Sequence, residues 1–241
     1  MYIRSVKLER ITEELGYAAK LPAVKSLAQR EELGFKSPVT YFVGENGTGK
    51  STLLEAIAVK CGFNAEGGSL NFSFSTKETH SPLHSAIKLV RGIERPKTGF
   101  FLRAESFYNA ASYIDTLGSE ILDVYGGVSL HEQSHGESFF SLVMNRFKGH
   151  GLYILDEPEA ALSPSRQMSL LVRINELAEQ GSQFIIATHS PIVLAYPGSV
   201  IYELTENGVT ETNYENTETY GAMKAFMDDP KRMIKHLLDK N

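Results

Sequence analysis

Cysteine, long apolar runs and an excess of positive charge are all scarce in this chain of 241 residues. The one cysteine, Cys61, cannot close an internal disulfide, and the N-terminal MYIRSVKLER lacks the apolar stretch and cleavage site of a secretory signal. A cytoplasmic location is expected. The most apolar stretches, such as FIIATHSPIVLAY at 184–196, fall well short of a bilayer span and are interrupted by His189, Ser190 and Pro191. No membrane insertion is expected either. A net charge of −5 argues against a surface given over wholly to nucleic acid, although a local basic groove inside an acidic average leaves DNA binding open. Internal repeats, low-complexity tracts and heptads long enough for a coiled coil are missing, so residues 1–241 read as a single globular domain.

What is present is a series of short apolar runs that close on glycine, acidic or polar residues: VTYFV at 39–43, GFFLRA at 99–104, LYIL at 152–155, FIIAT at 184–188 and SVIYEL at 199–204. Runs this short and this apolar read as strands buried on both faces. Helical patterns lie between them, the clearest at 166–180, where Met168, Leu171, Ile174, Leu177 and Ala178 recur at helical spacing before Gly181. Alternating strands and helices predict an α/β fold with a mainly parallel sheet flanked by helices. The first 37 residues, with IRSVKLERI as one strand, are expected to form a small antiparallel layer. Residues 62–98 read as loops and short strands inserted into the main sheet. The C-terminal 219–241 reads as helical, with Pro230 at a helix start.

After the run Val39–Val43 comes GENGTGKST, in which Gly44, Gly49, Lys50 and Ser51 match G-x-x-x-x-G-K-[ST], followed by the helical TLLEAIAVK. Glycines suit a loop that wraps a triphosphate and turns backbone N–H groups toward it, because side chains would obstruct that path. The helix N-terminus adds partial positive charge, Lys50 adds a full one, and the Ser51 hydroxyl is a candidate magnesium ligand. Gly44, Glu45, Asn46, Gly47, Thr48, Gly49, Lys50, Ser51 and Thr52 are therefore the expected ATP- or GTP-binding loop, and no guanine-specifying N-K-x-D is present.

A second run, GLYILDEPEAALSP, sets Asp156 and Glu157 after a buried strand, at the sheet edge where ligands bind in parallel sheets. Asp156 is the expected holder of the magnesium shell, and Glu157 the group that orients or deprotonates the attacking water. Alone, Asp-Glu after an apolar run is as readily a solvated strand end; downstream of a phosphate loop the catalytic reading gains. FIIATHSP repeats the geometry, with His189 ending a strand predicted beside that of Asp156. A histidine there is suited to sense the γ-phosphate.

These motifs, in this order, resemble the ATP-binding-cassette superfamily, closely over 38–61 and 130–191. The resemblance implies that GENGTGKST is the Walker A loop, ILDEPE the Walker B strand with catalytic Glu157, EAALSPSRQ at 159–167 the D-loop and His189 the switch histidine. It also implies that QSHGESF at 133–139 is a divergent signature motif, with Ser134, Gly136 and Glu137 contacting nucleotide on the other protomer and a helical subdomain over about 104–147. His135 replaces a glycine of the usual signature, and a polar glycine turn before a helix has the same look. ATP and Mg2+ are the implied cofactors, an ATP-dependent homodimer the implied assembly.

Transporter ATPases carry a glutamine after the strand preceding the helical subdomain, and FFLRAESFY at 100–108 has none. Glu105 is the nearest candidate for that metal- or water-contacting role, or else a solvated loop acid. The form DEPEAALSP and the signature ending in Glu137 look more like the soluble ATPases related to chromosome-maintenance, recombination-repair and overcoming-lysogenization heads, in particular small AAA-type ATPases. A soluble ATPase acting as a regulatory or mechanical module on an unidentified protein or nucleic-acid partner is the favoured expectation. The nucleotide-binding subunit of a membrane transporter is the alternative; a kinase or GTPase sharing only the phosphate loop fits least.

Overall fold

The computed structural model describes residues 1–70, 81–104 and 135–239. Among these residues the strands are β1 (Ile3–Leu8), β2 (Leu33–Gly34), β3 (Val39–Gly44), β4 (Gly68–Ser69), β5 (Ile87–Arg91), β6 (Thr98–Arg103), β7 (Gly151–Asp156), β8 (Gln183–Ala187), β9 (Val200–Thr205) and β10 (Gly208–Thr212). The helices are α1 (Pro22–Ala28), α2 (Lys50–Cys61), α3 (Leu83–Ala86), α4 (His135–Arg146), α5 (Pro164–Glu179), α6 (Glu218–Asp228) and α7 (Pro230–Leu238).

The main sheet runs β10-β9-β3-β8-β7-β6-β4, with the five strands from β9 to β6 parallel and both edge strands antiparallel. Its central strands β3, β7 and β8 are buried along nearly their whole length because both faces are covered, which is why their apolar residues run without alternation. Alternate residues still divide between two cores. Phe42, Ile154, Ile185 and Ala187 face a core shared with α1, α2 and the antiparallel layer. Tyr41, Tyr153, Leu155, Phe184 and Ile186 face a second core shared with α4 and α5. There Phe147 stacks on Tyr153 at 4.2 Å between ring centroids, and Tyr153 meets Phe184 at 5.1 Å.

The antiparallel layer is β2-β1-β5. Residues 62–98 therefore depart from the expected insertion into the main sheet: β4 joins it, but β5 pairs with β1, Leu8 opposite Ile87 and Val6 opposite Leu89. Ile87 is buried in the first core while Lys88 and Arg91 face outward, the pattern of a strand with one covered face, and this pattern does not specify which sheet receives it. The C-terminal helical stretch divides in two at Asp229, where the residue before proline is extended and its Oδ1 accepts from Arg232 N at 3.0 Å. Helix α5 starts at Pro164, two residues before the expected boundary, with Ser163 Oγ accepting from Arg166 N.

One buried side chain ties the two sheets together. Gln183, 1% exposed at the start of β8, accepts from Tyr2 N at 2.8 Å and Ile3 N at 2.9 Å through Oε1 and donates to Ile3 O at 2.8 Å through Nε2. Gln183→Leu leaves these backbone groups without partners and is expected to cost about 3 kcal/mol, roughly 1 kcal/mol for each. Urea denaturation should show a lower midpoint at unchanged slope, whereas an unchanged midpoint would mean that the sheets dock without this contact.

Candidate functional site

Parallel pairing brings the C-terminal ends of β3, β8, β7 and β6 to one edge of the sheet, with Phe42 and Asp156 both opposite Ala187, and Arg103 opposite Asp156. At the end of β3 the chain must pass close under β9. A Cβ on Gly44 would lie 2.0 Å from Leu204 O, and the residue has φ 129°, so only glycine fits. Thr48 Oγ1 donates to Glu45 O at 2.8 Å, and Ala23 N donates to Thr48 O at 3.1 Å, which closes the loop and fixes it against α1. Helix α2 then begins at Lys50 with no side chain capping its first N–H groups. Asn46, Gly47, Gly49, Lys50, Ser51 and Thr52 share a cleft of about 110 Å³ with Leu21 and Glu157.

Lys50 is 4% exposed, and its Nζ donates to Gly44 O at 2.7 Å and Glu45 O at 2.8 Å. Burial pushes its pKa below the ordinary lysine value, against the opposing pull of Glu157, Asp156, Glu159 and Glu45. Four carboxylates thus act on one ammonium group. Ser51 Oγ donates to Asp156 Oδ1 at 3.0 Å, so the two expected magnesium ligands already touch. No group of three or more His, Cys, Asp or Glu side chains able to hold a metal occurs among the described residues. The two hard oxygens fit a magnesium ion that takes its remaining ligands from phosphate and water.

Glu157 leaves the strand with φ 52°, a left-handed conformation costing on the order of 1 kcal/mol for a non-glycine residue. Glu157 N donates to Ala187 O at 2.9 Å, and Glu157 O accepts from Ala160 N at 3.1 Å, which hold the turn. His189 Nε2 stands 3.7 Å from Glu157 Oε1, beyond hydrogen-bond range. The structure thus brings Lys50, Ser51, Asp156, Glu157 and His189 to one sheet edge. Gly136 lies in the first turn of α4, where a Cβ would be 2.5 Å from Ala161 O, and Glu137 pairs with Arg166 at 3.4 Å. Ser134 and Glu105 lie outside the described residues, as does most of the expected subdomain at 104–147.

Two functional neighbours escape sequence reasoning. Arg103, at the end of β6, has Nη1 2.6 Å from Glu55 Oε2 and Nε 3.8 Å from Asp156 Oδ2. Glu55 on α2 also accepts from Ser81 N at 2.7 Å. The available signal is Glu55 itself, the one charge in the apolar stretch TLLEAIAV, because a buried acid calls for a cation.

Two family models match. One described as "AAA domain, putative AbiEii toxin, Type IV TA system" covers residues 126–195, and one described as "AAA domain" covers 20–97. The ribose import ATP-binding protein RbsA of Yersinia pestis is 24% identical over 204 residues, spanning 76% of this chain and 38% of that protein. The chain is thus similar to ABC-type P-loop ATP-binding proteins. The cytochrome c biogenesis ATP-binding export protein CcmA of Aliivibrio fischeri is 28% identical over 160 residues, 63% of this chain and 78% of its own. Among solved structures, cbiO1 from Clostridium perfringens, part of the ABC transporter complex cbiONQ, is 19% identical, covers 99% of each chain and has a TM-score of 0.49. The chain spans 38% of the length of RbsA, the first relative it matches.

Arg103→Met is expected to destabilise the protein by roughly 3–5 kcal/mol, because Glu55 is left as a buried carboxylate without its cation. The double variant Arg103→Met/Glu55→Leu should recover most of that loss. Thermal unfolding of both checks it; a double variant no more stable than the single one would show that packing, not charge, is lost.

Proposed function

We propose that this sheet edge binds Mg2+–ATP and hydrolyses it, at sites completed by a second copy of the chain. The observation that carries the reading is the Ser51–Asp156 contact at 3.0 Å beside buried Lys50, with Glu157 on the adjoining turn. The loop N–H groups and Lys50 bind the phosphates, and the backbone carbonyls that now hold Lys50 Nζ give it up to the ligand. Magnesium, when bound, supplies the positive charge that lets phosphate oxygens approach an acidic edge. Ser51 and Asp156 hold it. Glu157 orients the attacking water and accepts its proton, and His189, beside it, donates to the phosphate.

The shared site rests on the signature-like start of α4. Glu137 is half exposed there, and Gly136 lies in the first turn, so that an anion on a facing copy would meet the N-terminal end of this helix. The output we favour is a soluble regulatory or mechanical one, supported by the form DEPEAALSP, the AAA-domain matches and the lack of any helix, among the described residues, long and apolar enough to cross a membrane. A second reading has its own observation. RbsA and CcmA are both named as transport ATP-binding proteins, so a nucleotide-binding subunit for a membrane partner is the competing assignment. Co-purification of a multispan membrane protein with the chain from native cells would favour the second.

Lys50→Ala should lower ATP affinity at least tenfold by calorimetry, since the helix dipole alone cannot replace a full charge; unchanged affinity would reduce Gly44–Ser51 to a turn. Glu157→Gln should keep Mg2+–ATP binding, lower turnover by about 100-fold or more, and form a two-fold dimer with ATP in light scattering. Wild-type turnover in that variant, or a monomer at saturating ATP, would count against the catalytic and the shared-site assignments respectively.

A further inference from the structure

We infer that Glu159 is a positioning residue of the same reaction: its carboxylate fixes the backbone of His189 relative to Glu157. This rests on the ATPase reading above and deepens it. Strands β7 and β8 are held by their ladder as far as Asp156 and Ala187, and Glu157 N to Ala187 O at 2.9 Å is the last backbone link between them. Beyond that point the two loops that carry the reactive side chains have no sheet to hold them. One side of the His189 loop is hooked by Thr188 N to Phe42 O at 3.1 Å. The other side is held by Glu159, whose Oε1 accepts from His189 N at 2.6 Å and from Ser190 N at 3.2 Å.

A carboxylate that accepts backbone N–H groups makes charge-assisted bonds, roughly twice as strong as neutral ones. Glu157 and Glu159 also belong to one stiff turn, separated by Pro158 and closed by Ala160 N to Glu157 O at 3.1 Å. Fixing His189 to Glu159 therefore fixes it to Glu157, and sets the 3.7 Å between His189 Nε2 and Glu157 Oε1. A second strut starts from the same segment. Gln167 Oε1 accepts from Ser190 Oγ at 2.6 Å, while its Nε2 donates to Leu162 O at 2.9 Å. Residues 159–167 thus grip the His189 loop at one end, and Ala161 O presses on Gly136 in the first turn of α4.

Two buried atoms of this arrangement, Glu159 Oε2 and His189 Nε2, have no hydrogen-bond partner among the described residues. Buried polar groups are rarely left so, and the exceptions gather where function rather than stability sets the geometry. The contact is therefore expected to act on turnover more than on folding.

The test begins with nucleotide-free protein, comparing amide exchange by NMR in wild type and Glu159→Ala. Exchange at His189 should speed up on the order of tenfold or more, with a smaller change at Ser190, whose N also donates to Thr188 Oγ1 at 3.0 Å, and the β-strand amides unchanged. With Mg2+–ATP, kcat should fall between about 10- and 100-fold while ATP affinity stays within about twofold. Glu159→Gln should recover part of both effects, because its amide oxygen still accepts. Wild-type exchange at His189, or faster exchange with unchanged kcat, overturns the inference; so does a joint loss of melting temperature, ATP affinity and kcat, which marks a structural role only. If Glu159→Ala does not fold, Glu159→Gln decides: intermediate losses in exchange and kcat at unchanged affinity support it, and wild-type behaviour in both overturns it. A wild type without ATPase activity sinks the ATPase reading separately, and the exchange result then still decides whether Glu159 holds the loop.

Discussion

Parallel register is the constraint on which this structure depends. Five strands that all run the same way deliver their C-terminal ends to one edge, and the side chains that follow each strand meet there although they are far apart in the chain. Ser51 and Asp156, separated by 105 residues, touch only because β3 and β7 both flank β8 in register. A slip of one residue in either pairing would turn Asp156 to the other face and carry the loop away from it. The apolar runs of β3, β7 and β8 bury both faces of the sheet, while the polar residues at their ends, Gln183 and Asp156, mark the register.

Electrostatics at that edge is unbalanced by design of the sequence. Glu45, Asp156, Glu157 and Glu159 all act on Lys50, and Arg103 is committed largely to Glu55. A triphosphate approaching this edge meets more negative than positive side chains, offset in part by the helix N-terminus and loop N–H groups. The arrangement therefore favours a nucleotide that arrives with a divalent cation. The buried ammonium of Lys50 is meanwhile held by two backbone carbonyls, which satisfy two of its three donors without adding charge.

Much of this is legible in the sequence for local reasons. The phosphate loop announces itself because its glycines, lysine and serine all fall within Gly44–Ser51, and the strands because double burial removes polar residues from short windows. The contacts that escape are those between distant segments. Arg103 and Glu55 are 48 residues apart, and Glu159 and His189 are 30 apart, so neither pair leaves a periodic trace. Strand β5 escapes for another reason: one covered face specifies burial but not the sheet that provides it, and its partner β1 lies far earlier in the chain, with Leu8 opposite Ile87.

The most direct test of the account is the affinity of the wild-type chain for ATP with and without magnesium, measured by calorimetry at fixed ionic strength. An edge that combines Ser51 and Asp156 with an excess of carboxylates around Lys50 should bind ATP at least tenfold more weakly when the cation is chelated. Equal affinity in both conditions would contradict the assignment of Ser51 and Asp156 as the magnesium-holding pair, and with it the view that the sheet edge is built for a metal–nucleotide complex.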